Sequence, residues 1–254
     1  MSIQPGSPQS SISIKPYGEG SDTKKEQVAR MFDGISGRYD LLNRLLSLGI
    51  DVRWRRVALR MLRERGLPAR VLDVATGTAD LALALARELP QADVVGVDLS
   101  EGMLGVGRQK VTQSGLNSRV RLEQADAEHL PFDDQSFDAV TVAFGVRNFE
   151  NLDQGLKELG RVLRPGGHLM VLEFSRPRSP LVKGLMNLYS RSLMPTIGGW
   201  LSKDRAAYAY LPASVQVFPE GAEFEARLKG AGLEPIQQRR LSLGISSVYI
   251  ARRP

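Results

Sequence analysis

Between residues 69 and 174 the chain repeats one pattern five times: a short run rich in valine and leucine, followed by turn residues. The runs are ARVLDVA (69–75), ADVVGVDL (92–99), RVRLEQAD (119–126), FDAVTVAF (137–144) and HLMVLEF (168–174), and most are separated by stretches with helical spacing. Runs this short and apolar predict strands covered on both faces, and a helix-length connection brings the next strand in parallel to the last. The chain is therefore read as α/β, with a Rossmann-like, mostly parallel sheet between two layers of helices. Two more strand-like runs, PIQQRRLSL (235–243) and SSVYIARR (246–253), lie too close together for a crossover. They predict an antiparallel hairpin at the sheet edge and bring the sheet to seven strands.

Helical patterns flank this core. Val28, Met31, Phe32 and Ile35 recur every three to four residues, Leu41, Leu42, Leu45, Leu46 and Leu48 form a second stripe, and residues 51–65 carry six arginines around Trp54, Val57, Leu59, Met61 and Leu62. Residues 1–22, rich in Ser, Pro and Gly, cannot offset the entropy of ordering and are read as a flexible tail. A helical insertion is expected over about 178–211 and a further helix near 219–231. Residues 23–254 are thus expected to form a single domain: N-terminal helices (23–66), a central core (69–175), a helical cap (176–218), and a last helix with the edge hairpin (219–254).

The chain has 254 residues and no cysteine, which removes disulfides, thiolate metal sites and cysteine nucleophiles from consideration, and no metal site is expected. The net charge of +6 favours anionic partners. The opening residues lack the apolar core of a secretory signal and no run of 18 apolar residues occurs, so a cytoplasmic protein is expected, with peripheral contact at the inner face of a membrane.

Chemistry concentrates after the strands. VLDVATGTADL (71–81) reads as strand, tight turn and helix start, a construction that brings a ligand onto backbone amides. Asp98 follows Gly77 by 21 residues, at the end of the second strand, where a carboxylate accepts both hydroxyls of a ribose. The bland alternative is a tight turn beside a surface Asp, and the glycines of a dinucleotide fingerprint are absent. Asp126 closes the third strand, suited either to an adenine amino group or to capping its own loop. RVLRPGG (161–167) reads as a helix stop and sharp turn leading into the fifth strand.

These motifs, in this order over residues 69–175, resemble the class I S-adenosylmethionine-dependent methyltransferases. YDLLNRLLSLGIDVRW (39–54), FGVRN (144–148), RVLRPGGHLMVLEFS (161–175) and the 207–219 region extend the resemblance to about residues 25–254. They point to the quinone C-methyltransferases of menaquinone and ubiquinone synthesis. The resemblance implies S-adenosylmethionine as cofactor, held by Gly77 and Thr78 toward the methionine end, Asp98 at the ribose, and Asp126 with Ala127 at adenine. It also implies C-methylation of a polyprenyl quinol, either demethylmenaquinol, a 2-methoxy-6-polyprenyl-1,4-benzoquinol, or both. Ala79, Ala143 and Asp51 depart from residues frequent in the family, a glycine, a serine and a histidine.

Methylating a quinol carbon calls for phenolate character, yet a phenol with pKa near 10 is ionised in only about one molecule in a thousand at pH 7, a handicap of roughly 4 kcal/mol. Arg147 and Asn148 are the catalytic candidates because a cation beside the oxygen favours the phenolate; the alternative for Arg147 is an ion pair with a neighbouring carboxylate. Tyr39, Tyr208 and Tyr210 are hydroxyls able to bind the quinol, and Tyr39 and Tyr208 are taken as its contacts. Glu173 is assigned to the pocket wall, and His129 and His168 are rejected as bases. The apolar stretch 181–201 suits a prenyl chain or an ordinary helical cap, and the basic 53–65 helix suits anionic lipid. Nucleic acid is not expected as a partner: the fourth strand ends in Phe144-Gly145 rather than the Asn/Asp-Pro-Pro-aromatic motif of amino-methylating enzymes, and cytosine C5 chemistry needs a cysteine. Self-association is compatible with the sequence and unspecified by it.

Overall fold

The structure is a computed structural model that describes residues 14–188 and 205–254. Three helices come first: α1 (Lys24–Ile35), α2 (Tyr39–Ser47) and α3 (Ile50–Arg63). The start of α1 is fixed by a reciprocal cap, in which the Thr23 hydroxyl accepts from the Glu26 amide while the Glu26 carboxylate accepts from the Thr23 amide at 2.7 Å. The core follows as β1 (Arg70–Val74), α4 (Asp80–Glu88), β2 (Asp93–Asp98), α5 (Glu101–Gln113), β3 (Val120–Gln124), β4 (Phe137–Ala143), α6 (Leu152–Val162) and β5 (Leu163–Phe174). Then come α7 (Pro180–Leu188), α8 (Arg205–Val217), α9 (Ala222–Gly230), β6 (Glu234–Leu241) and β7 (Ser246–Arg252).

The seven strands run β3-β2-β1-β4-β5-β7-β6, parallel through β5, with β7 antiparallel to both of its neighbours. Period-two alternation divides each inner strand between two cores. Val71, Val94, Ala139, Met170, Val248 and Ile250 face the layer containing α3, α4 and α5. Leu72, Val95, Val140, Leu169, Val171 and Tyr249 face α6 and α9. The strand order reverses between β1 and β4, which opens a crevice beyond their carboxyl ends. Among the described residues, no helix is long and apolar enough to cross a membrane.

Several expectations need correction. RVLRPGG does stop the helix, at Val162, but the turn expected ahead of the strand belongs to it: β5 begins at Leu163, five residues ahead of HLMVLEF, with Leu163 opposite Phe137 before the register shifts. The insertion does not end at 211, since α8 continues to Val217 with Pro212 inside it. The flexible tail expected at 1–22 divides: residues 1–13 lie outside the described residues, but 14–22 are tied to α1, with the Tyr17 amide donating to Gln27 Oε1 at 2.8 Å and Gln27 Nε2 donating to the Gly18 carbonyl. Much of the 181–201 stretch, Trp200 included, lies outside the described residues.

Candidate functional site

The turn after β1 is built from left-handed backbone: Ala75, Gly77 and Ala79 have φ of 53°, 56° and 65°. Alternation of this kind folds the backbone tightly beside the crevice, with the Thr76, Gly77 and Ala79 amides held by the Val97 carbonyl, Asp98 and the Thr76 carbonyl, and in the two alanines it carries the strain found at ligand sites. The turn is pinned from the next strand, because Asp98 accepts from the Gly77 amide at 2.8 Å and from the Ser100 amide at 2.9 Å. The turn after β4 meets it closely, since a Cβ on Gly145 would fall 2.4 Å from that of Ala75. Below lies Asp73, fully enclosed, accepting from Thr76 Oγ1 at 2.6 Å and Thr141 Oγ1 at 2.7 Å. Burial lifts its carboxyl to about 6 against the pull of those two hydroxyls.

Two adjoining cavities result. The larger has about 710 Å³ of empty space, part of it open to solvent. Gly77, Asp98, Asp126, Ala127, Asn148 and Tyr39, six of the nine residues chosen from the sequence, line it. Asp98 and Asp126 stand at neighbouring strand ends. Burial pushes the Asp98 carboxyl up, opposed by the amides of Ser100, Gly77 and Leu99. The smaller cavity, about 380 Å³, is shared by Tyr39, Gly77, Thr78, Arg55 and Phe144. There the Thr78 hydroxyl donates to Asp40 Oδ1 and receives Lys110 Nζ at 3.2 Å.

Arg147 lines neither cavity. Its guanidinium pairs with Glu173 at 2.9 Å, donates to the Phe144 carbonyl, and lies over the Phe174 ring at 5.4 Å. Of the two readings left open for this arginine, the carboxylate pair is the one present. Burial pushes the Glu173 carboxyl up while Arg147 opposes it. Tyr208 lies on α8, but its side chain is outside the described residues. Its neighbour Tyr210 is buried, and its hydroxyl is pushed up to about 12 by burial, with the Arg147 charge working against that rise. Among the described residues, three buried side-chain atoms have no hydrogen-bond partner: Arg147 Nε, Asn148 Oδ1 and Tyr210 Oη. Arg147 and Asn148 belong to the turn 146–148, against which α8 packs. Buried polar atoms are nearly always satisfied, so three orphans around one turn mark where a polar ligand belongs.

Sequence reasoning missed the lid. From α1, Lys24 Nζ donates to the carbonyls of Arg147 and Phe149 at 3.1 and 2.7 Å, and Lys25 pairs with Asp126 at 2.9 Å. Asp33 accepts from Ser100 Oγ and the Gly102 amide at the start of α5. Asp40 on α2 pairs with Lys110 at 2.7 Å. Burial, then the nearby Arg147 charge, brings the Lys24 amine down to about 8. Each tie joins residues far apart in the chain, and no local motif announces it.

The sequence profile of the ubiE/COQ5 methyltransferase family matches residues 20–253. The chain is 45% identical over 240 residues to a demethylmenaquinone methyltransferase of Bacteroides fragilis, covering 94% of this chain and 97% of that one. It is 47% identical over 233 residues to the ubiquinone/menaquinone biosynthesis C-methyltransferase UbiE of Geobacter sulfurreducens, covering 91% and 90%. A solved S-adenosylmethionine-dependent methyltransferase of Aquifex aeolicus superposes with a TM-score of 0.57 at 20% identity, covering 78% of this chain and 89% of that one. That last likeness speaks for the fold alone.

Proposed function

The chain belongs to the ubiE/COQ5 methyltransferase family, and from that premise we propose that it methylates a ring carbon of demethylmenaquinol with S-adenosylmethionine as methyl donor. The observation that carries the acceptor side is the trio of unpartnered buried atoms, Arg147 Nε, Asn148 Oδ1 and Tyr210 Oη. A quinol hydroxyl is both donor and acceptor and so can complement an N–H, an amide oxygen or a phenol, and of the three residues Asn148 lines the larger cavity.

The donor fits the larger cavity by its chemistry. Asp98 keeps acceptor capacity for two ribose hydroxyls beyond the amides it already holds, Asp126 offers an acceptor to an exocyclic amine, and Gly77 presents bare backbone. When bound, S-adenosylmethionine would supply a methyl group on a sulfonium: the acceptor's ring carbon would take that methyl, the sulfur would leave as a neutral thioether, and the proton on that ring carbon would pass to water as the ring regains its aromaticity.

The chain's own residues orient and polarise the acceptor. Asn148 Oδ1 accepts the quinol O–H at the cavity wall, and Arg147 Nε, which lines neither cavity, donates to the oxygen once the acceptor has entered between α8 and the 146–148 turn. Glu173 offsets much of the arginine's charge, so the phenolate is favoured by directed hydrogen bonds and by the Lys24 ammonium on the same loop more than by a bare cation. Tyr210, held neutral by burial, donates to the acceptor. Because a polyprenyl quinol resides in lipid, the enzyme works in peripheral contact with a membrane.

The test is methyl transfer from labelled donor to demethylmenaquinol and, separately, to 2-methoxy-6-polyprenyl-1,4-benzoquinol. Faster turnover of demethylmenaquinol is expected; turnover of the benzoquinol alone moves the assignment to the ubiquinone branch, and turnover of neither overturns it. Tyr210→Phe should lower turnover about tenfold while leaving stability unchanged or slightly raised, since it deletes a buried unpaired hydroxyl.

A further inference from the structure

The corner where α2 meets α3 exposes an apolar face unlike the rest of the N-terminal helices. Leu41, Leu45, Leu48, Ile50 and Val52 are 57%, 42%, 79%, 40% and 41% exposed, five large apolar side chains within a dozen residues. Charge is sorted around them. Arg44, Arg53 and Arg56 are exposed, whereas both acids of the segment turn inward, Asp40 to Lys110 and Asp51 to Arg55. The outward surface is therefore apolar with a cationic border. α2 packs on α3 and on the turn before it, and the side chains of Leu41, Leu45 and Leu48 stand out from that packing.

We propose that this corner, with Leu41, Leu45 and Leu48 as apolar anchors and Arg44, Arg53 and Arg56 as headgroup contacts, docks the protein onto an anionic lipid surface. Apolar side chains enter the headgroup boundary while arginines pair with anionic phosphates and keep their stems over the apolar face. A protein partner would have to bring its own ring of acids around a matching apolar centre, whereas an anionic lipid surface presents phosphates over an apolar interior wherever the corner lands. The corner is also close to the chemistry. Tyr39, the first residue of α2, lines both cavities, so a helix lying on lipid would set the cavity mouth beside it. The face itself stands on exposure and charge; its use in taking up a quinol rests on the reading given above.

Flotation with vesicles made of equal parts phosphatidylglycerol and phosphatidylcholine tests this. The full chain should float at low salt and partly persist at high salt, since only the charge contribution is screened. Leu41→Gln, Leu45→Gln and Leu48→Asn together keep helix-forming residues in α2 and place an asparagine where Leu48 has φ of 52°. This variant should bind at least about tenfold more weakly. Leu48→Trp should bind more tightly, with blue-shifted emission on binding. Flotation of the triple variant equal to wild type, or no flotation of wild type at low salt, overturns the proposal. So does a concentration-dependent dimer that the triple variant abolishes, which would assign the face to a second copy.

A short-tailed, water-soluble quinol separates docking from chemistry. The triple variant should methylate it as wild type does, yet lose turnover on a long-tailed quinol held in vesicles. If wild type floats through this face but methylates no quinol, docking stands and the acceptor assignment falls.

Discussion

At the ends of β1 and β2, Asp98 holds the amides of Gly77 and Ser100 and Asp73 holds the hydroxyls of Thr76 and Thr141. Around the turn after β4 and the helix α8 packed on it, by contrast, Arg147 Nε, Asn148 Oδ1 and Tyr210 Oη have no partner among the described residues. The first half of the crevice completes its own hydrogen bonds, partly within a strand and its turn and partly across to a neighbouring strand. The second is left unpaired, at about 1 to 3 kcal/mol for each buried group. A shared donor needs a rigid cradle, and a self-satisfied turn supplies it. On the proposed reading, the acceptor side keeps polar atoms unpaired until a substrate oxygen arrives, which would tie stability lost in the free enzyme to recognition of the substrate.

The largest effect should come from the ion pair that supports the acceptor side. Arg147→Met leaves Glu173, 1% exposed, as a buried unpaired carboxylate, and removing one partner of such a pair typically costs about 3 to 5 kcal/mol. Adding Glu173→Gln keeps an oxygen for the Phe174 amide, which Glu173 now accepts at 2.8 Å, and should return most of that stability in urea unfolding. Turnover should stay low in both variants. If the double variant recovered turnover along with stability, Arg147 would be a strut for its loop, and the acceptor half would be no less self-contained than the donor half.

A smaller effect is expected on the donor side. Asp98→Ala removes a charged acceptor from two ribose hydroxyls and frees two backbone amides, so donor affinity measured by calorimetry should fall about a hundredfold. Turnover at saturating donor should change far less. Because burial raises the Asp98 carboxyl, protonation begins nearer neutrality than for an exposed aspartate. Wild-type donor affinity should therefore weaken as pH falls through the acid range, and the alanine variant should lose that dependence. An unchanged dissociation constant would remove Asp98 from the cradle.

The contrast between the halves also explains what could be read from sequence. Strands buried on both faces declare themselves as Val/Leu runs, so Val94–Val97 and Val140–Val142 announce their elements. Asp98 is legible because its partners, Gly77 and Ser100, sit at fixed offsets from strand ends. Lys24, Asp33 and Asp40 were missed because each acts on residues brought near only by folding: Lys24 on Phe149, Asp33 on Gly102, Asp40 on Lys110. Tyr210 and Tyr208 could not be ranked from spacing alone, and it is the packing of α8 on the 146–148 turn that buries the Tyr210 hydroxyl. The early start of β5 was hidden by Pro165-Gly166-Gly167. Those residues signal a turn locally, yet the Gly166 amide bonds to the Arg253 carbonyl and Arg253 returns its amide to Gly167.

The smallest effect should come from a partly exposed ion pair of the lid, that between Lys25 and Asp126, with side chains 35% and 21% exposed. Its 2.9 Å separation looks strong, but at this exposure water and salt screen the attraction, and such pairs contribute roughly 0.2 to 1 kcal/mol. Lys25→Met should accordingly change donor affinity by less than about fivefold, and high salt should shrink even that difference. α1 remains held by Lys24 on two carbonyls and by Asp33 at the head of α5, so the lid as a whole should not open. Calorimetry at low and high salt checks both points. A loss as large as that of Asp98→Ala, persisting in high salt, would mean that the donor half depends on a lid contact distant in sequence, and the division between a locally completed cradle and an unpaired acceptor wall would fail.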